Sequence, residues 1–160
     1  ATPQRYRNSC AFMPKPLPDV LVRPLRPDER AAWEPLWQGY LTFYESEVTP
    51  QPTSVLWERL HDPQEPMFVR GAFAAGQLIG IAHYLFHRSC WTIGDYCYLQ
   101  VPEARGSGAG RALIAAVEEA ARAQGASRVH WLTKEDNHAA RALYDKVAER
   151  SGFIQYRKLF

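Results

Sequence analysis

Apolar and polar positions alternate in DVLVRPL, residues 19–25, and this predicts a first β-strand. Pro27 suits the first turn of a helix, and acidic Asp28 and Glu29 follow where the helix dipole favours them. From there Trp33, Leu36, Trp37, Tyr40, Leu41 and Tyr44 recur at helical spacing, one apolar stripe of a helix ending near Tyr44. SEVTPQPTS breaks the pattern, Thr53 or Ser54 is a candidate cap for a short helix through Leu60, and HDPQEP reads as a turn. Three β-like runs follow, at about 67–74, 77–87 and 91–101, with hairpin junctions at Ala75-Gly76 and Arg88-Ser89. A glycine-rich stretch, RGSGAG, then precedes a helix from about Gly108 to Gln124. Its apolar face carries Leu113, Ala116, Val117 and Ala120, and Gly125 ends it. SRVHWLTK, residues 127–134, alternates as a strand. Asn137 caps a further helix with Ala140, Leu143, Tyr144 and Val147 inward, Gly152 stops it, and FIQYRKLF is the last strand. The order β-α-α-β-β-β-α-β-α-β predicts an α/β domain without internal repeats.

Length changes this picture little: 160 residues suit one domain, large enough to hold a core without disulfide or metal. The first eighteen residues carry four of the twelve prolines and no apolar periodicity, so they are expected to form a flexible arm, with the domain running over 19–160. A net charge of +2 and the lack of a basic run argue against a nucleic-acid partner. No stretch reaches about 18 apolar residues, so no membrane span is expected. Cys10, Cys90 and Cys97 form no CxxC pair and no zinc-spaced set, which predicts no metal site and a reducing, cytoplasmic location.

The glycines carry the candidate chemistry. A glycine-rich turn opening a helix makes an anion site, because free N–H groups and the positive end of the dipole meet there. The P-loop pattern fails, since Arg111-Ala112 stands where Lys-Ser/Thr is required. The dinucleotide pattern GxGxxG fails too, because the third glycine is misplaced at Gly110. The pattern [R/Q]xxGxG is satisfied by Arg105, Gly108 and Gly110. A plain turn with close strand–helix packing is the alternative.

That third pattern, with NHAARALYDKVAERSGF downstream, resembles the GNAT acetyltransferase superfamily. The pieces AHYLFH and VHWLTKEDNHAARALYDK are similar to a branch with yeast histone and polyamine acetyltransferases and many small bacterial proteins. The resemblance covers residue 19 to the end. It implies a GNAT fold, a mixed and mostly antiparallel sheet with helices on both faces. It implies acetyl-CoA as co-substrate, with the pyrophosphate held at Arg105, Gly106, Ser107, Gly108, Ala109, Gly110 and Arg111. A side chain at Gly108 or Gly110 would then meet the phosphates or the neighbouring strand. Leu99, Gln100 and Val101 would pair with the pantetheine arm and offer a backbone N–H to the carbonyl oxygen. Asn137 would contact the coenzyme or cap its helix, and Tyr144 would be the general acid to the leaving thiolate, or a core tyrosine. Surface arginine is the alternative for Arg105 and Arg111.

Acetyl transfer to an alkyl amine needs a base, because an amine of pKa about 10.4 costs roughly 4–5 kcal/mol to hold neutral at pH 7. Relatives tend to carry acidic residues in the strand before the glycines, with about four more residues there. This chain reads CYLQVP, and Gln100 cannot be a base. Asp95, Glu45 and Glu47 remain as candidates. The stripe Trp33, Trp37, Tyr40 and Tyr44 is helix core or a cation-binding wall. His83 and His87 share a strand face without a third metal ligand. The expected activity is N-acetylation of a primary amine on a polyamine, an amino-acid-like molecule or a lysine side chain. A non-catalytic acyl-CoA-binding domain is the rival. A homodimer is compatible with the resemblance, since many relatives pair through their C-terminal halves.

Overall fold

The computed structural model describes residues 19–46, 50–100 and 108–160. The expected arm at 1–18, together with Glu47, Val101, Arg105, Gly106 and Ser107, lies outside them. Five strands form one sheet in the order β1 (Val20–Pro24), β2 (Met67–Ala74), β3 (Gln77–His87), β4 (Tyr96–Gln100), β5 (Arg128–His130). The first three pairings are antiparallel and β4–β5 is parallel. The β2–β3 hairpin turns at Ala75 and Gly76, both at positive φ (49° and 76°), which matches the twist of the flanking strands.

Helices α1 (Arg30–Phe43) and α2 (Pro50–Arg59) cover one face, while α3 (Ala109–Ala123) and α4 (His138–Val147) cover the other. A single 3-10 turn, Pro27–Glu29, leads into α1. There Glu29 accepts both Arg23 guanidinium nitrogens, at 2.7 and 2.9 Å, and the pairing holds its carboxyl down at about 2. Under α1 and α2, Trp33 and Trp57 pack with ring centroids 4.7 Å apart and planes tilted by 38°, beside Leu25, Val69 and Ile81. Under α3, Leu113 and Val117 pack on Ala72, Ala82, Cys97 and Leu99.

Several expectations need correction. The α2 helix begins at Pro50, so Thr53 and Ser54 are interior. Thr53 is buried and Ser54 accepts from Arg30 at 2.9 Å, tying α2 to α1. The third run starts at Tyr96 rather than 91, because residues 88–95 form a loop held by Arg88 and Asp95 at 3.1 Å. The strand expected over 127–134 keeps only 128–130, since β4 offers it three rungs and no more. Helix α4 stops at Val147, short of Gly152, and FIQYRKLF forms no strand: no backbone in the described residues pairs with it.

Candidate active site

The β4–β5 ladder runs through Tyr96–Arg128, Cys97–Val129 and Tyr98–His130 and ends there, although β4 continues to Gln100. Two parallel strands that part in this way open a fork in the sheet. Leu99 and Gln100 keep their partners on β3, Tyr84 and His83, and have none on β5. Alternation sends Leu99 into the α3 core and Gln100 to the α1 face with His83.

On the α3 side, Gly108 caps α3 at φ 73°, a left-handed conformation that glycine adopts without the penalty a Cβ would bring. Ala109 and Gly110 are buried and Arg111 is exposed in the first turn. A Cβ built on Gly110 would lie 3.2 Å from Leu143 Cδ2, whereas one on Gly108 would meet nothing within 4 Å. The close neighbour at Gly110 is therefore α4, not a strand, and Gly108 is demanded by its φ rather than by crowding. Asn137 caps α4 by accepting the Ala140 N–H at 3.4 Å, and its amide donates to Thr133 Oγ1 at 3.3 Å. Tyr144 follows Leu143 and sets its ring edge-on to Trp131 at 5.4 Å, next to the last rung of β5. The glycine turn thus lies against Leu143, the residue that precedes Tyr144 on α4.

The α1 side of the fork is aromatic. The expected stripe divides: Trp33 is core, donating its indole N–H to His83 Nε2 at 2.9 Å, while Tyr40 and Tyr44 line the open end at 4.9 Å from each other. Burial pushes the His83 imidazole down to about 3, so it is a neutral acceptor in the core. Burial, with Tyr44 and Tyr98 nearby, pushes the Tyr40 phenol up to about 12. Lys134 Nζ sits 5.6 Å from the Tyr44 ring centroid. A cleft of about 400 Å³ beside it is lined by Phe43, Lys134, Asp136 and Asn137. Glu45 is exposed at the end of α1, and Asp95 stands at the far end of β4, engaged by Arg88. His87 is exposed, with Nδ1 against the Arg88 carbonyl at 2.9 Å.

Sequence reasoning missed His130 and Lys134. His130 stacks on Tyr98 at 5.2 Å, and burial, then Arg128 and His87, lower its pKa. The signal was only the alternation of 128 and 130, which had no meaning until the register to β4 was known. Cys97 is in the core, and burial raises its thiol to about 11.

The Acetyltransferase (GNAT) family model matches residues 33–148. The chain belongs to the GNAT acetyltransferase family. It is 32% identical over 145 residues to D-amino-acid N-acetyltransferase HPA3 of Saccharomyces cerevisiae, spanning 87% of this chain and 90% of that protein. Among solved structures it is similar in fold to the ribosomal-protein-alanine N-acetyltransferase from Brucella melitensis biovar Abortus 2308, with TM-score 0.71 and 19% identity over 89% of this chain and 99% of that one. It is also similar to the aminoglycoside acetyltransferase meta-AAC0020 from an uncultured soil metagenomic sample, with TM-score 0.69 and 16% identity over 88% and 97%. This GNAT domain is an N-acetyltransferase, and its family takes acetyl-CoA as acyl donor.

Proposed function

We propose that the chain acetylates the primary amine of a small amino-acid-like molecule, with the fork between β4 and β5 as the site of transfer. The observation that carries this reading is the contrast across the fork. One side holds a helix N-terminus and a phenol-bearing helix, and the other a tyrosine-lined opening with a lysine at its edge. The α3 N-terminus, the left-handed Gly108 and the small residues Ala109 and Gly110 fit the diphosphate of coenzyme A, since N–H groups of a first helical turn point outward to an anion. The stretch Leu99–Gln100, which has no partner on its β5 side, fits a pantetheine arm, which is extended and carries amides.

When bound, acetyl-CoA supplies the activated acetyl group. The chain's own residues position and move protons around it. Leu99 and Gln100 align the donor along β4 and offer a main-chain N–H to developing oxyanion charge. Tyr144 would protonate the departing sulfur, and the proton given up by the amine would restore the phenol; a phenol near pKa 10 and a thiol near about 8.5 are matched closely enough for that transfer. Tyr40 and Tyr44 wall the acceptor and help exclude water. Lys134 offers a cation to an acceptor carboxylate, which favours amino acids over polyamines. The activity named for the yeast relative, on D-amino acids, agrees with that choice.

Coenzyme A release measured over a panel of both enantiomers of amino acids, polyamines and lysine peptides tests the reading. Turnover is expected on free amino acids and falls when their carboxylate is amidated. Turnover confined to polyamines or lysine peptides would overturn the acceptor class. Tight coenzyme binding with no turnover on any amine would replace the enzyme by an acyl-CoA-binding domain.

A further inference from the structure

Acetyl transfer at the fork needs a group that takes a proton from the acceptor amine. Glu45 is exposed at the end of α1, and Asp95 stands at the far end of β4 in the hold of Arg88. Lys134 is a cation at neutral pH. Burial keeps the Tyr40 phenol protonated, with its pKa up at about 12. One further titratable side chain stands at the fork itself. His130 ends β5, and with Tyr98 it forms the last rung of the parallel ladder, where the two strands part.

Its ring lies on the acceptor side. Tyr98 and Gln100 alternate onto the sheet face that carries His83 beneath α1. The Tyr98 phenol is near enough to Tyr40 to help raise its pKa, and Tyr40 packs on Tyr44 at 4.9 Å. His130 stacks on the Tyr98 ring at 5.2 Å, with the planes 29° apart. The tyrosine-lined opening therefore has Lys134 at one end and His130 at the other. The imidazole is half-buried. Its Nδ1 is shut away from solvent without a hydrogen-bond partner among the described residues, and no hydrogen bond from a described residue engages Nε2. Leaving a buried ring nitrogen unpaired is costly, and such costs concentrate where a residue has a chemical task.

The surroundings keep this ring uncharged. Facing it are His87 of β3 at 5.6 Å, Tyr96 of β4 at 6.1 Å, Tyr98, and Arg128 of β5, whose guanidinium lies 3.7 Å over Tyr96. None of these is a carboxylate that would favour a cation. Burial first, then Arg128 and His87, hold the imidazole below its ordinary 6.5, so at neutral pH it has a lone pair to offer.

We propose that His130 is the proton acceptor of the reaction, taking the first proton from the acceptor's ammonium at Nε2. The assignment rests on the fork being the site of transfer. The proton passes from His130 to solvent. The nitrogen lone pair so freed forms the new C–N bond, and the C–S bond breaks with its electron pair on sulfur. Tyr144 protonates that sulfur, and the second proton shed by the nitrogen restores the phenol. One proton is released per acetyl group transferred.

Coenzyme A release at saturating acceptor, followed across pH for wild type and His130→Gln, tests this beside NMR of the His130 imidazole. Wild-type kcat should fall as pH drops through a value below 6.5. His130→Gln should lower kcat about a hundredfold at pH 7, with coenzyme affinity unchanged by calorimetry. Its remaining kcat should climb about tenfold per pH unit toward the range where the acceptor sheds its own proton. In wild type saturated with coenzyme A, the imidazole resonance should titrate below 6.5 and move when an amino-acid acceptor is added. This second measurement needs no substitution and holds even where the variant fails to fold. A variant with wild-type kcat and the same pH profile would overturn the assignment. So would a ring that is already cationic at pH 7, or one that the acceptor leaves unmoved. Wild-type turnover indifferent to position 130 removes His130 alone, whereas a wild type that acetylates no amine removes the transfer site and His130 with it.

Discussion

On one face of the sheet, Trp33, Trp57 and His83 fill the space beneath α1 and α2; on the other, Ala72, Ala82, Ala109 and Ala121 let α3 lie close, with Gly110 against Leu143 of α4. The first face is stapled by polar contacts inside the apolar packing. Trp33 bonds His83, Trp57 donates to the Pro27 carbonyl at 3.3 Å, and the His61 ring nitrogens lie 2.9 and 3.1 Å from the Trp57 and Leu25 carbonyls. The second face has many small side chains at its open end. Large rings with fixed partners make a rigid wall, whereas small residues let two helix ends approach where a ligand's backbone contacts are needed. These contacts concentrate stability under α1, whereas the N-terminus of α3 is where we propose that the coenzyme binds.

The largest effect that would test this division is at Trp33. It is fully buried, it touches Trp37, Trp57 and His83, and its indole N–H satisfies a buried imidazole. Trp33→Ala should cost about 3–5 kcal/mol through the cavity alone. A further cost comes from leaving His83 Nε2 without its donor. Chemical denaturation gives the number. A loss below about 1 kcal/mol would mean that the α1 face is not the stabilising one.

Acid reaches the same face by another route. His83 titrates near 3 when folded and near its ordinary 6.5 when unfolded, because burial penalises the cation. Its folded pKa is the lower, so below 6.5 the unfolded chain holds a proton that the folded chain lacks. Stability is complete above pH 6.5 and declines by about 1.4 kcal/mol per pH unit as pH falls toward 3. Between pH 6.5 and 5 this amounts to roughly 2 kcal/mol. His130, also lowered, acts in the same direction. The difference in slope between wild type and His83→Gln, which keeps an acceptor for Trp33, isolates the buried ring; equal slopes would show that His83 takes a proton while folded.

Much of this division was legible in the chain. The stripe from Trp33 to Tyr44, the Ala75-Gly76 turn, the glycine turn before α3 and the Asn137 cap are local signals, each written within about one or two helical turns. The fork, the split of the aromatic stripe into Trp33 below and Tyr40 and Tyr44 at the opening, and the arrival of Lys134 beside Tyr44 are not local. They depend on which residue of β5 lies against Tyr98, and a strand of three residues carries too little pattern to fix that. The misread last strand has a different cause. FIQYRKLF has strand composition, but a strand exists only with a partner, and none of the described residues pairs with it.

The smallest structural change with a functional readout lies on the other face. A methyl group at Gly110 would stand 3.2 Å from the end of the Leu143 side chain, a contact that a flexible methyl can relieve by moving a few tenths of an ångström. Alanine is also the better helix residue by up to about 1 kcal/mol, so Gly110→Ala should leave the unfolding midpoint nearly unchanged. The displacement passes instead to α4, where Leu143 adjoins Tyr144. We therefore expect kcat/KM to fall about tenfold, equivalent to about 1.4 kcal/mol of transition-state binding. Tyr144→Phe separates the two parts of that loss. If the phenol is the acid, its removal lowers kcat about tenfold at unchanged coenzyme affinity, with stability intact, whereas Gly110→Ala weakens coenzyme binding as well. Calorimetric titration with coenzyme A beside steady-state kinetics distinguishes them. A Tyr144→Phe enzyme with wild-type kcat across the pH range would leave the tyrosine as packing for Trp131 and return the glycine turn to the role of a helix-packing device.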